Sequence, residues 1–459
     1  MIQALIELLG EERVLTGAAL DSRYVHIWKM NDGLSAKALV IPNNTEEVSQ
    51  IMKLADAHQQ KVIVYGGLTN LVGSTETEGD EIVISMEKMN AIEEIDTESR
   101  TMTVQAGVIL QNVQEMADRN DLLFPLNFGA KGSAQMGGII STNAGGLRVF
   151  RFGMTRTLVL GLEVVLADGS VISSLKKIIK DNSAYDLKQI FIGSEGTLGI
   201  ITRAVLKLVE KPLSRVSAFV GINEYKQVVS LYKYLDKGLA GKLSAYELMW
   251  PETYKACTAK RTGQAPPLIQ DHKYYVLVEL MGSDQTQDHQ ALQALIEKAL
   301  MDGQIEDAVL SHTESDLEWF WKIREDVHAF VSLCKVDQHF DISMPMPEIG
   351  DYVDSVSKKL RENKDVEWVF PFGHVADGNV HFVVGKLNDS EELTLWVNDV
   401  VYSPLKDLMG SVSAEHGIGL HKKKYLALCR TPEEIELMKR LKKSLDPHGL
   451  LNRSKVLDL

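Results

Sequence analysis

Short apolar, β-branched runs alternate with stretches of helical period along most of this chain. Ala36 to Ile41 and Lys61 to Tyr65 have the composition of buried strands. Between them the pattern predicts a helix from Thr45 to about Gln59. Thr45 would cap it, with Glu46 and Glu47 in the first turn where the helix dipole favours negative charge. Further strands are predicted at Ile82 to Met86, Ile92 to Asp96 and Thr101 to Ala106, then a helix near Leu110 to Asp118. Leu158 to Ala167 and Val171 to Ser173 read as a hairpin turning at Asp168-Gly169. Past Lys211-Pro212 the pattern becomes strands at Ser217 to Ile222, Ser244 to Met249 and Lys273 to Met281, interleaved with helices ending near Asp236, Leu300 and Cys334. That alternation predicts an antiparallel sheet backed by helices. Helices are also predicted at Leu393 to Leu408 and Pro432 to Leu445.

Three glycine-rich stretches interrupt the pattern. Gly66 to Thr75 follows a strand directly and offers bare amides and hydroxyls suited to a phosphate, although no helix and no lysine close it as in a P-loop. Asn127 to Gly146 is so dense in glycine that it suggests backbone pressed against a ligand. Phe191 to Leu208 holds a tight Gly193-Ser194-Glu195-Gly196 turn before a strand. Any one of these is also compatible with an ordinary turn or linker.

The most informative stretch is Phe370 to His381, FPFGHVADGNVH. Strand-forming residues flank Asp377-Gly378, a two-residue hairpin signal. A turn there pairs His374 with His381 across one sheet face, with Cβ atoms about 5 Å apart. That spacing suits two imidazole ligands on one metal ion. Glu415, in Ser-Ala-Glu-His-Gly, is a candidate third ligand, and His416 beside it a candidate base. A hydrogen-bonded, half-exposed histidine pair would give the same pattern.

The length, 459 residues, predicts two or three domains. A net charge of -14 argues against nucleic acid or an anionic membrane surface as the main partner. Cys257, Cys334 and Cys429 are widely separated and form no CxxC, which argues against a cluster or a disulfide framework. The N-terminal segment reads as an amphipathic surface helix, no apolar run reaches membrane-span length, and a cytoplasmic location is expected.

Taken in order, the glycine-rich stretches resemble the FAD-binding domain of the vanillyl-alcohol-oxidase type. The GHxxDGNxH and SAEHG pieces resemble its D-2-hydroxyacid dehydrogenase branch, which includes D-lactate, D-2-hydroxyglutarate and glycolate dehydrogenases. The resemblance implies an α+β fold: a PCMH-type FAD-binding domain over residues 1–211, an antiparallel-sheet cap over 212–405 carrying the metal-binding hairpin, and a short helical segment over 406–459 returning to the FAD domain. It implies cofactor-binding roles for Gly66, Gly67, Leu68, Thr69, Asn70, Leu71, Ser74, Ser133, Gly137, Gly138, Asn143, Gly145, Gly146, Glu195, Gly196 and Asn452. Ile200 and Ile201 would flank the adenine side. Leu68 stands where covalent members carry a histidine, so FAD is expected to be non-covalent. Asn70 and Ser74 replace glycines common in the branch, and Asn tolerates the left-handed region.

Arg324 reads either as an exposed helix arginine paired with a nearby glutamate or as a carboxylate clamp; the resemblance favours the clamp. D-2-hydroxyglutarate dehydrogenases carry threonine and lysine where His328 and His339 stand. These two histidines are therefore expected as specificity residues, and that substrate is in doubt. The expected reaction is oxidation of a D-2-hydroxy acid (D-2-hydroxyglutarate, D-malate or D-lactate type) to the 2-oxo acid, with hydride passing from C2 to the flavin N5. His374, His381 and Glu415 would hold one divalent ion, Zn²⁺ first, with Mn²⁺ or Fe²⁺ as further options. His416 would be the base, and Arg324, His328, His339 and Asn379 would meet the substrate. Electron-transferring flavoprotein or a quinone would take the electrons, and a homodimer stays open. The alternatives are a flavoenzyme acting on a sugar or phenolic alcohol without a catalytic metal, and a metal-dependent hydrolase or binding module.

Overall fold

The computed structural model describes residues 1–28, 31–259 and 265–459. The chain forms two compact units, one of Met1–Gly146, Phe152–Lys211 and Glu415–Leu459, the other of Leu147–Arg151 and Pro212–Ala414. The segment returning to the first unit thus begins at Glu415, not at 406, because Ser411 bridges to Ser343 and keeps the preceding residues on the second unit.

The first unit has two sheets. One runs in the order β1 (Val14–Leu15), β2 (Ala38–Val40), β4 (Ile82–Ser85), β3 (Val62–Tyr65), with β2 and β3 parallel to β4. The helix Thr45–Ala57 packs its apolar stripe, Val48, Ile51, Met52 and Ala55, into the core of this sheet. Asn44, not Thr45, caps it: Asn44 Oδ1 accepts from Glu47 N, and Thr45 Oγ1 donates to Glu163 Oε1 instead. The other sheet is antiparallel, in the order β5 (Ile92–Asp96), β6 (Thr101–Gln105), β10 (Ile200–Lys207), β8 (Val159–Val165), β9 (Val171–Ser174). A short ribbon pairs β7 (Leu122–Leu123) with β11 (Val209–Glu210). The glycine-dense stretch contains a helix, Met136–Thr142, that glycine content obscured. Gly137 is needed there because a Cβ would sit 2.8 Å from Ala106 Cβ.

The second unit is built on a seven-stranded antiparallel sheet, in the order β15 (Asp307–Leu310), β12 (Ser214–Ile222), β14 (Tyr274–Gly282), β13 (Leu243–Met249), β17 (Val366–Gly373), β18 (Asn379–Lys386), β16 (Val336–Ser343). Phe219, Met249, Tyr275, Leu277 and Phe372 from the sheet pack with Leu317, Phe320 and Phe330. The helix expected from Glu314 to Cys334 is broken into Glu314–Glu325 and Val327–Val331. Asp326 makes the break by capping the second piece, its Oδ1 accepting from Ala329 N. Among the described residues, no helix is long and apolar enough to cross a membrane.

One buried carboxylate secures the second unit. Glu279, fully buried in β14, accepts from Arg148 Nη2 at 3.2 Å, Arg215 Nη2 at 2.7 Å, Trp321 Nε1 at 2.9 Å and Ser244 Oγ at 2.9 Å. Burial pushes its carboxyl up, but the charges of Arg148 and Arg215 outweigh burial and hold it below the usual range. The strap Leu147–Arg151 is bound into this unit by Arg148 and by Arg151 Nη1, which donates to Met281 O at 3.0 Å. Glu279→Ala strands two cations and leaves Trp321 Nε1 and Ser244 Oγ without their carboxylate acceptor. It should cost about 3–5 kcal/mol, the usual loss on breaking a buried pair. A urea midpoint equal to that of the parent protein would refute the network's structural weight.

Candidate active site

In the first unit the strand β3 runs into the loop Gly66–Thr75. Gly67 has no room for a side chain: a Cβ would lie 2.1 Å from Ser133 O. At Gly138 the reverse holds, since nothing lies within 4 Å of a Cβ position. Bare backbone at Gly66 and Gly67 with open space at Gly138 fits a phosphate cradle. Thr69 and Ser133 are half-buried and Leu71 is exposed. Leu68 holds φ 55°, and its carbonyl accepts from Ile27 N. Asn70 turns its polar atoms into the loop itself. Its Oδ1 accepts from Ser74 N at 3.0 Å and its Nδ2 donates to Thr75 Oγ1 at 2.9 Å.

Several expected cofactor residues also hold the protein together. Ser74 Oγ donates to Glu195 Oε2 at 2.9 Å. The Glu195 carboxylate also accepts from Ile418 N at 2.7 Å and Gly419 N at 2.9 Å, just past His416. Asn452 Nδ2 donates to the Glu195 carbonyl at 2.7 Å, and Asn452 Oδ1 accepts from Val64 N. Gly196 must lack a side chain because a Cβ would lie 2.8 Å from Asn452 Nδ2. Three separate stretches therefore converge on Glu195. Burial raises its carboxyl above the usual range, against the bonds from Ile418, Ser74 and Gly419 that lower it.

Asn143 ends its helix at φ 50°, and its Oδ1 accepts from Arg156 N. Gly145 leaves room for Glu415, whose Oε1 would lie 2.6 Å from a Cβ there. Gly146 is at φ +149°, and a Cβ would meet Asn127 O at 2.2 Å. Ile200 and Ile201 are 1% and 4% exposed, and their side chains belong to the hydrophobic cores.

The second unit supplies the histidines. The hairpin register differs from the expected one: His381 pairs with Phe372, not His374. Val375–Asp377 form a 3₁₀ turn closed by Gly378 at φ 85°, which lengthens the connection by two residues. A slip of two preserves the sheet face, so the His374 and His381 rings still meet, with centroids 5.2 Å apart. Each has a carboxylate behind Nδ1. His374 Nδ1 lies 2.7 Å from Glu247 Oε2, and His381 Nδ1 lies 3.8 Å from Asp341 Oδ1. Arg324 is buried at the end of its helix, not exposed, and Nη2 lies 2.7 Å from Glu247 Oε2. Burial would raise the Glu247 carboxyl, yet His374 and Arg324 prevail and hold it below the usual range.

Asn379 Nδ2 donates to Asp341 Oδ1 at 2.8 Å and to Ile342 O at 3.0 Å, bracing β18 against β16. Its Oδ1 is buried with no donor among the described residues. His328 is exposed on its short helix. His339 is also exposed, one rung along β16 on the face of Asp341, and its Nε2 lies 2.6 Å from Asp337 Oδ2. Sequence reasoning missed Glu247, Asp341 and Glu279. A lone acid inside an otherwise apolar strand, as in SAYELM and VLVELM, was the available signal.

Residues 36–174 match the family model "FAD binding domain", and residues 211–456 match "FAD linked oxidases, C-terminal domain". The mitochondrial D-2-hydroxyglutarate dehydrogenase of Arabidopsis thaliana is 35% identical over 98% of this chain and 80% of its own length. That of Bos taurus is 37% identical over 92% of this chain and 77% of its own. A Schizosaccharomyces pombe protein that carries the name of a mitochondrial D-lactate dehydrogenase is 37% identical over 89% of this chain and 80% of its own. This chain belongs to the FAD-linked D-2-hydroxyacid dehydrogenases. Members of this family are flavin-dependent oxidoreductases acting on the CH–OH group of hydroxy acids.

p-Cresol methylhydroxylase with substrate bound shares the fold, with a TM-score of 0.74 at 15% identity over 100% of this chain and 96% of that one. So does 4-ethylphenol oxidase from Gulosibacter chungangensis, at 0.72 and 19% identity over 99% and 96%. The family confirms FAD as the cofactor and the PCMH-type, α+β architecture. It overturns the cytoplasmic expectation, because the Arabidopsis, cattle and fission yeast relatives are all named mitochondrial. Composition reports how a folded domain meets water, whereas compartment is set by receptor-read signals that composition does not encode.

Glu195→Gln keeps the volume of the hub but sets an amide NH₂ among donors. The variant should purify with less bound FAD, read as a lower ratio of flavin to protein absorbance. An undiminished ratio would mean that the cradle does not depend on Glu195.

Proposed function

We propose that the protein oxidises a D-2-hydroxy acid of the D-2-hydroxyglutarate, D-malate or D-lactate type with the help of one divalent cation held by His374, His381 and Glu415. The observation that carries this reading is the pair of imidazoles in contact, with Nδ1 of His374 held 2.7 Å from the buried Glu247 carboxylate. Such backing leaves Nε2 as the ligating nitrogen, the usual arrangement behind a metal-binding histidine. Chain continuity supports Glu415 as the third ligand. Ser413 Oγ donates to Asp341 Oδ2 at 3.4 Å, and Glu415 follows two residues later, at most about 7.6 Å along the backbone. Two nitrogens and one oxygen suit Zn²⁺ and also Mn²⁺ or Fe²⁺.

Bound FAD supplies the two-electron acceptor, and a cation at the histidines supplies positive charge that lowers the cost of deprotonating the substrate hydroxyl. His416 takes that proton as general base. Arg324 orients the carboxylate, and the buried Asn379 Oδ1 can accept from the hydroxyl before it is deprotonated. Electron-transferring flavoprotein or a quinone would reoxidise the flavin.

His416→Ala should slow anaerobic flavin reduction by about 10²-fold or more, the usual contribution of a general base, with FAD and metal retained. Unchanged reduction would remove the base assignment. Treating the parent protein with a chelator should abolish substrate-driven flavin reduction, and Zn²⁺ or Mn²⁺ should restore it. Full activity in metal-stripped protein would favour oxidation without a metal.

A further inference from the structure

Most buried acids here serve packing, but Glu247 joins two groups with separate duties. It sits in the middle of β13, fully buried, with its strand neighbours Tyr246 and Leu248 also buried. Its Oε1 and Oε2 lie 2.9 and 2.7 Å from His374 Nδ1. The same Oε2 accepts from Arg324 Nε at 2.9 Å and lies 2.7 Å from Nη2. An ionised carboxylate only accepts, so His374 carries its proton on Nδ1 and presents the Nε2 lone pair. The Nε–Nη2 edge of Arg324 is likewise committed to Glu247, which leaves Nη1 outside that pairing. Phe372 steadies the guanidinium from one face, with Cζ 4.9 Å from the ring centroid.

Three elements meet at this acid: the middle of a central strand, the last turn of the helix Glu314–Glu325 and the residue that opens the hairpin turn. Glu279 provides the contrast. It lies on the same sheet face, but its partners are Arg148, Arg215, Ser244 and Trp321, and no imidazole is among them.

We propose that Glu247 is a positioning residue that sets both the His374 tautomer for metal binding and the Arg324 orientation for substrate binding. One acid thereby couples metal affinity to substrate affinity. This rests on the reading of His374 as a metal ligand.

The test measures zinc affinity of the FAD-loaded protein by competition with a chelator of known affinity, and KM and kcat with zinc saturating. Glu247→Gln should bind zinc 10–100-fold more weakly, as loss of a carboxylate behind a ligating histidine commonly does. With zinc restored, KM should rise several-fold more than kcat falls, and the flavin-to-protein ratio should match the parent. In a His374→Ala background the same substitution should no longer change zinc affinity, since the coupling runs through that ring.

Wild-type zinc affinity and KM in Glu247→Gln would overturn the proposal, as would an equal zinc effect in the His374→Ala background. If Glu247→Gln does not accumulate as a folded flavoprotein, Glu247→Asp carries the test. Withdrawing the carboxylate by one methylene should still weaken zinc several-fold with flavin content intact, and unchanged affinity would overturn the proposal. Failure of the parent protein itself to bind zinc, Mn²⁺ or Fe²⁺ is a different result, and it overturns the metal reading on which the proposal rests.

Discussion

A carboxylate removed from water must find donors inside the protein, and of the buried glutamates Glu195, Glu247 and Glu279 meet that demand by drawing distant stretches of the chain together. The Glu195 carboxylate gathers the cradle loop through Ser74 and the segment after His416 through two amides, while its backbone carbonyl holds the C-terminal turn through Asn452. Glu247 ties a helix end to a hairpin turn. Glu279 fastens the strap Leu147–Arg151 within the second unit. Each acid makes the placement of distant stretches conditional on one another. Sheets and apolar cores establish the two units, and these acids locate the functional segments within each of them.

This arrangement also explains why the glycines are where they are. Gly67 lets two loops touch, and Gly145 makes way for the Glu415 side chain. At Gly129 and Gly138, by contrast, the missing side chain faces open space. The glycine-rich stretches are therefore as much a record of close protein packing as of a cofactor. FAD binding by the family requires both, because a cradle that approaches phosphate must itself be held rigid.

Much of this architecture was legible in the chain. Periodicity located the helix Pro432–Leu445 and most strands within one or two residues, because long, regular segments bury one consistent face. The hairpin carrying His374 and His381 was legible, but its register was not. Asp377-Gly378 suggested a two-residue turn, whereas Gly378 closes a 3₁₀ turn that begins at Val375. The histidines still met because a two-residue slip keeps a side chain on its face. Arg324 was misread as exposed on one reading, since a helix pattern does not disclose that Glu247 waits on a strand 77 residues away. Ile200 and Ile201 stand at the start of a central strand, where hydrophobic side chains go to the cores, so any part they have in holding the cofactor falls to their backbone.

The account's central claim is a flavin reduced by D-2-hydroxy acids with a cation beside the histidine pair. Anaerobic mixing of the FAD-loaded protein with D- and L-forms of 2-hydroxyglutarate, malate and lactate tests it directly. The visible flavin band should bleach with a D-enantiomer and stay oxidised with its L-partner. Bleaching by sugars or phenolic alcohols but by none of these acids would contradict the account.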